Sequence, residues 1–144
     1  MTNATPEIED ADCIMITGSN TSEAHPLVAT RVFRAREKGA KLVVIDPRRI
    51  QMAQVADIHV RNRPGSDVAW INGLMHIIVK EGWEDKEFIA ERTEGFEELK
   101  KEIEAYPPKR VAEISGISIE DLRRIAQTYA KAEKASILYA MGIT

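Results

Sequence analysis

The chain has 144 residues, enough for one domain, and 44% apolar residues, enough to bury a core. A net charge of −3 and a pI of about 5.7 argue against a general nucleic-acid or membrane-surface binder. The single cysteine, Cys13, excludes an internal disulfide and a cysteine-rich metal site within these residues.

Taken in order, Thr5 to Ala11 is acidic and reads as a short opening helix or turn, with Pro6 near its start. Cys13 to Ile16 is a short apolar run that ends in a turn, the first buried strand, and Cys13 within it reads as a buried structural thiol. Gly18 to His25 is a loop of small polar residues. Pro26 suits a first helical turn, Leu27, Val28, Val32, Phe33 and Ala35 supply an apolar stripe, and Gly39 closes the helix.

Leu42 to Ile45 is an unbroken apolar run, as expected of a strand covered on both faces of a parallel sheet. With the first strand and its helix it makes a βαβ unit. The run stops at Asp46-Pro-Arg48, where a ligand would sit in an open α/β sheet. Asp46 can accept from ribose hydroxyls or a base edge, Pro47 fixes the backbone, and Arg48 can fork onto phosphate or stack on a ring. A capped turn with a solvated arginine explains the same residues equally well.

Ile50 to Ala56 suggests a short helix and Asp57 to Val60 a third strand. Asn62 to Asp67 is a loop in which Ser66 or Asp67 can cap a strongly apolar helix over Val68 to Glu81. Charged helices follow at Asp85 to Arg92, anchored by Phe88 and Ile89, and at Gly95 to Tyr106, stopped by Pro107-Pro108. Arg110 to Gly116 is a helical turn. Ser118-Ile-Glu-Asp121 reads as a capping box that opens a helix through Lys131. Ala135 to Ala140 is a candidate fourth strand. The pattern as a whole predicts an α/β fold: a Rossmann-like three-layer αβα domain over 1–144, with a mostly parallel sheet of about four strands.

Three loops, at 18–25, 46–49 and 62–67, should open on one sheet edge. They offer backbone N–H groups at Gly18 and Gly65, the Asn20 amide, carboxylates at Glu23, Asp46 and Asp67, and guanidiniums at Arg48 and Arg63. Such a set suits a nucleotide. No catalytic Ser–His–Asp or Cys–His order stands out, and the three histidines lack metal-ligand spacing. The first loop, with Gly18 alone, also lacks the G-x-G-x-x-G spacing. His25, before Pro26, reads as a capping or packing group; His59 and His76 read as structural residues, and Trp70 and Met75 as core.

Several segments resemble molybdopterin-guanine-dinucleotide oxidoreductases: Gly18-Ser-Asn-Thr-Ser-Glu-Ala-His-Pro26, Gly39 to Arg48, Ala56-Asp-Ile-His59 and Arg63-Pro-Gly-Ser-Asp67. Arg92 to Glu98, Ile114 to Ser118 and Ile137 to Thr144 resemble the catalytic alpha subunit of formate dehydrogenases in particular, and Met1-Thr-Asn resembles a sequence internal to that subunit. The resemblance implies a cofactor-binding fragment of a larger enzyme that oxidises formate to carbon dioxide at molybdenum or tungsten. The fragment alone is expected to be inactive. Asn20 and Glu23 match loop positions that contact the dinucleotide, and Asp46 and Arg48 match the segment that holds its guanosine portion. Gly65 and Asp67 match a Pro-Gly-x-Asp segment whose acid reads a guanine edge.

The resemblance further implies a [4Fe–4S] cluster held outside this chain, and partners in the remaining domains of the subunit and in electron-transfer subunits. Nucleic acid and a membrane segment are not expected. Cys13 does not match the family's catalytic cysteine, so no catalytic or metal-ligating residue is expected here. Alternatives are a domain of a nitrate-reductase-type enzyme, or a non-catalytic nucleotide-binding or scaffold module. The polar start without a signal peptide suggests a cytoplasmic protein, any export signal lying outside this stretch.

Overall fold

A computed structural model describes residues 4–143; the polar start Met1-Thr-Asn lies outside them. The chain divides into two compact units. One runs to Asn62 and resumes at Ala132; the other is Arg63–Lys131.

The first unit is built on a parallel sheet of four strands: β1 (Cys13–Thr17), β2 (Lys41–Ile45), β3 (Ile58–Val60) and β4 (Ala135–Tyr139). Their spatial order is β3-β2-β1-β4, and every neighbouring pair is parallel. The expected α/β class and sheet size hold, and the sheet is wholly rather than mostly parallel. Leu42 to Ile45 are each at most 1% exposed, the burial on both faces that the unbroken apolar run predicts.

Helices α1 (Thr21–Ala24), α2 (Pro26–Glu37) and α3 (Gln51–Gln54) belong to this unit. On one sheet face, Ile14, Ile16, Leu42 and Val44 form a core with Val32 and Ala35 of α2 and Met52 of α3. The stripe of α2 is shifted from expectation: Leu27 is 82% exposed, and Ala29 takes the buried place one turn before Val32. A 3-10 turn, Thr5–Asp10, stands where an opening helix or turn was expected. Glu9 anchors it to α2, accepting from Arg31 and from Arg34 (3.1 Å).

The second unit is helical: α4 (Asp67–Lys80), α5 (Lys86–Arg92), α6 (Phe96–Ile103), α7 (Pro108–Ser115) and α8 (Ile119–Ala130). The apolar α4 is covered by α6, α7 and α8. Gly73 is what lets α7 approach, since a Cβ there would lie 2.7 Å from Val111 Cγ2. Two caps form as polar residues at helix starts should: Asp85 accepts from the Phe88 amide (2.9 Å) and Ser118 from the Asp121 amide (3.0 Å). In the second, the Asp121 carboxylate takes the Ser118 hydroxyl (2.7 Å) instead of reaching back to the backbone. The expected anchoring of α5 fails: the helix buries no residue and Phe88 is 58% exposed. Pro108 does not merely end α6; its fixed φ opens α7.

Candidate functional site

All four strands of the first unit run the same way, so the turns after Thr17, Ile45, Val60 and Tyr139 share its carboxyl edge. From β1 the chain builds outward to β2 and β3 on one side, and β4 lies on the other. The strand order therefore reverses between β1 and β4, and in open α/β sheets ligands bind at that reversal.

Two glycines meet there. The Gly142 amide donates to the Gly18 carbonyl (3.1 Å). A Cβ on Gly18 would lie 2.7 Å from the Gly142 carbonyl carbon, and a Cβ on Gly142 2.5 Å from Gly18 Cα. Gly18 also has φ 56°, a second reason for glycine. The residues that follow are compact. The hydroxyls of Ser19 and Thr21 bond each other (3.0 Å), and the Asn20 carbonyl accepts from the Glu23 and Ala24 amides, closing the short α1. Asn20 Oδ1 and Ser22 Oγ are buried without a hydrogen-bond partner. A buried orphan acceptor is costly and calls for an explanation, such as a ligand donor.

After β2, Asp46 is 2% exposed. Its Oδ1 accepts from the Arg48 amide (2.8 Å) and Nε (3.2 Å), and Oδ2 from Nη2 (3.3 Å). Both explanations of the segment thus have a physical basis: Asp46 is the turn's cap, and through it the largely exposed Arg48 is held in one orientation. The hydrogen bonds and charge of Asp46, and the nearby charge of Glu23, raise the Arg48 pKa and keep it a cation. Asp46 and Arg48 are therefore brought together, and Glu23 adds its charge to the surroundings of Arg48. From β3, His59 Nε2 meets the Asp46 carbonyl (3.2 Å), and Arg61 Nε donates to the Pro47 carbonyl (2.7 Å), fixing the turn from behind. His59 is the structural residue it was expected to be.

Gly65 and Asp67 belong to the second unit. Gly65 has φ 80° in open space, so its glycine serves the turn's conformation alone. Asp67 begins α4 and accepts from the buried Trp70 indole (3.1 Å). Ser66, at the N-cap, donates its hydroxyl to the Arg63 carbonyl (2.5 Å) and makes no side-chain cap. Arg63 departs from the nucleotide-facing role expected of it: Nη1 donates to the Glu113 carbonyl (2.5 Å), so it serves the carbonyl end of α7. His76 Nδ1 meets the Ile103 carbonyl (2.9 Å), a structural contact. His25 occupies the N-cap of α2 but makes no side-chain cap.

Surface grooves on α5 and between α4 and α6 include none of the expected site residues. Among the described residues, no group of three or more His, Cys, Asp or Glu side chains is placed to hold a metal ion. No helix among them is long and apolar enough to cross a membrane.

The Gly18–Gly142 contact was missed by sequence reasoning. A glycine three residues beyond a strand was visible; that its strand would lie beside β1 was not.

The family model for molybdopterin oxidoreductases matches residues 1–144. The chain belongs to the molybdopterin oxidoreductase family. Over all 144 residues it is 51% identical to the F420-dependent formate dehydrogenase 1 subunit alpha of Methanococcus maripaludis, covering 21% of that protein. It is 44% identical to formate dehydrogenase H of Escherichia coli, again over its whole length and 20% of the relative's. Among solved structures, acetylene hydratase from Pelobacter acetylenicus matches with a TM-score of 0.87 and 33% identity, over 96% of this chain and 20% of that one. This molybdopterin oxidoreductase chain thus spans about a fifth of the length of the curated relatives it matches.

Proposed function

We propose that the chain is the cofactor-binding segment of the catalytic subunit of a molybdenum- or tungsten-dependent formate dehydrogenase. On this reading 1–144 is one Rossmann-like domain, and it holds the guanine-dinucleotide end of a molybdopterin cofactor. The observation that carries the reading is the Gly18–Gly142 contact at the strand-order reversal, with the unpartnered Asn20 Oδ1 beside it. The contact joins the turns after β1 and β4 at the edge where ligands bind, and the unpartnered Asn20 Oδ1 there can accept from a ligand donor such as a ribose hydroxyl or a base N–H.

When bound, the group supplies two-electron redox chemistry at its metal; this chain's residues bind and orient. Asp46 is nearly buried and already bonded to Arg48, so its role is to position Arg48, whose exposed guanidinium would hold a phosphate or stack on a ring plane of the bound group. Pro47 fixes the turn. Glu23, within electrostatic reach of Arg48, is a candidate acceptor for ribose hydroxyls. The assignment of Gly65 and Asp67 to the guanine end rests on the Pro-Gly-x-Asp resemblance. The [4Fe–4S] cluster and the electron-transfer partners belong to the rest of the subunit and its complex.

The test is made on the longer subunit. Acid-released guanine per metal and formate-dependent dye reduction should both be present, and Arg48→Ala should lower the guanine content. Purified 1–144 should not oxidise formate. A subunit with metal and pterin but no guanine refutes the cofactor assignment, and one without formate turnover refutes the substrate.

A further inference from the structure

Strand β3 pairs with β2, and successive side chains along a strand point to opposite faces. Ile58 and Val60 are buried, while His59 and, one step past the strand, Arg61 alternate with them. Both serve the turn after β2. The His59 ring meets the Asp46 carbonyl (3.2 Å), and Arg61 Nε donates to the next carbonyl, that of Pro47 (2.7 Å). Two arginines are therefore anchored to one turn: Arg48 through the Asp46 carboxylate, Arg61 through a backbone oxygen.

The two anchors leave different charges. Arg48 and Asp46 together are neutral, and the pair has already spent Nε and Nη2 of the guanidinium. The Pro47 carbonyl carries no formal charge, and among the described residues no carboxylate forms an ion pair with the exposed Arg61. Arg61 thus keeps its whole charge, with both terminal nitrogens left to donate. A guanidinium fixed at Nε alone is held in place without being neutralised, so an anion can take it with little further ordering. Arg49 is the contrast. It is exposed and its side chain bonds nothing among the described residues, so binding would have to order it first.

We infer that Arg61 is the phosphate-holding cation of this turn, while Arg48, neutralised by Asp46, presents its guanidinium plane to a ring. The inference rests on the reading of the chain as the holder of a guanine dinucleotide and deepens it: two side chains divide the tasks that one arginine would otherwise share.

The test titrates the longer subunit, made without cofactor, with guanosine diphosphate and with guanosine. The parent should prefer the diphosphate. Arg61→Gln keeps a donor for the Pro47 carbonyl and removes the charge. It should weaken the diphosphate about fivefold and leave guanosine unchanged. Arg61→Lys should stay within about twofold of the parent, and salt should weaken the diphosphate more in the parent than in Arg61→Gln. Arg48→Gln should weaken both ligands, and Arg49→Gln neither. Unchanged diphosphate affinity in Arg61→Gln overturns the inference. So does an equal loss of both ligands, which would make Arg61 a brace for the turn only, or an equal effect of Arg49→Gln, which would make the effect one of general charge. A parent that does not prefer the diphosphate, or binds neither ligand, overturns it as well; the proposed function then stands if the loaded subunit releases guanine and falls with it if none is released.

Discussion

The amide of Gly142 donates to the carbonyl of Gly18 at 3.1 Å, and neither residue has room for a Cβ. Gly142 has no positive φ, so only space demands glycine there. Gly65 is the reverse case: φ 80° and nothing within 4 Å. Gly142→Ala should therefore destabilise the chain by about 1–3 kcal/mol, as overpacking does. Gly65→Asn should be close to neutral, because asparagine tolerates the left-handed region. Urea midpoints at unchanged m-value measure both, and the opposite ranking would refute the assignment.

Asp46 gives its turn an acceptor for the Arg48 amide and a partner for the guanidinium. Asp46→Ala removes both and should cost about 1–3 kcal/mol. Asp46→Asn keeps an oxygen for the amide and should cost less. Arg48 side-chain NMR signals should broaden in both variants, and an unchanged guanidinium environment would count against the pairing.

In the helical unit, Gly73→Ala forces a methyl to within 2.7 Å of Val111 Cγ2. A loss of about 1–3 kcal/mol is expected. Val111→Ala alone opens a cavity, yet added to Gly73→Ala it should recover part of that loss. A double-mutant cycle reads the coupling, and strict additivity would show that the two residues do not meet.

Asp57 joins three segments, accepting from the Leu42 amide (2.9 Å) and from Arg36 (2.8 Å), with Lys41 Nζ at 3.6 Å. Burial pushes its pKa up, but the Leu42 amide and the cations outweigh it, leaving the carboxyl below its ordinary 3.8. A depressed folded pKa favours the folded form above the unfolded value, and the contribution is lost as pH falls through the folded one. Stability should therefore drop below about pH 4. Asp57→Asn should be less stable at neutral pH and should show a shallower acid limb in urea melts between pH 2 and 5.

The Cys13 thiol is 1% exposed, and burial, with Asp57 and Asp12 adding, pushes its pKa up to about 11. At pH 8 it should react with a disulfide reagent at least a hundredfold more slowly in the folded chain than in guanidinium, since the thiolate is the reactive form. Fast labelling of the folded chain would contradict the burial.

Local chemistry was legible wherever a short run carries its own signal. Leu42 to Ile45 has no polar residue to turn outward, and Asp85 and Ser118 stand where helix amides need acceptors. What escaped depends on partners far along the chain. Arg63 looked like a phosphate ligand because nothing nearby shows that its guanidinium meets a carbonyl fifty residues on. Phe88 looked like an anchor because burial belongs to neighbours, not to periodicity. Helix α1, four residues of Thr-Ser-Glu-Ala, is too short for any apolar period to show. The site residues were readable as types; that Asp46 is bound to Arg48, and that Gly142 lies against Gly18, follow from strand order and side-chain rotamers.

The centre of the sheet is occupied by the first strand of the chain. Asp12 bonds the amide of Lys134, 122 residues later, just where β4 begins. During synthesis at about 5–20 residues per second, β1 waits on the order of 6–24 s for that neighbour. It can pair with β2 early, but its second edge stays open while the whole helical unit is made. Newborn chains of this protein should therefore depend on chaperones for longer than their size suggests, and contacts of such sequence separation make refolding slow.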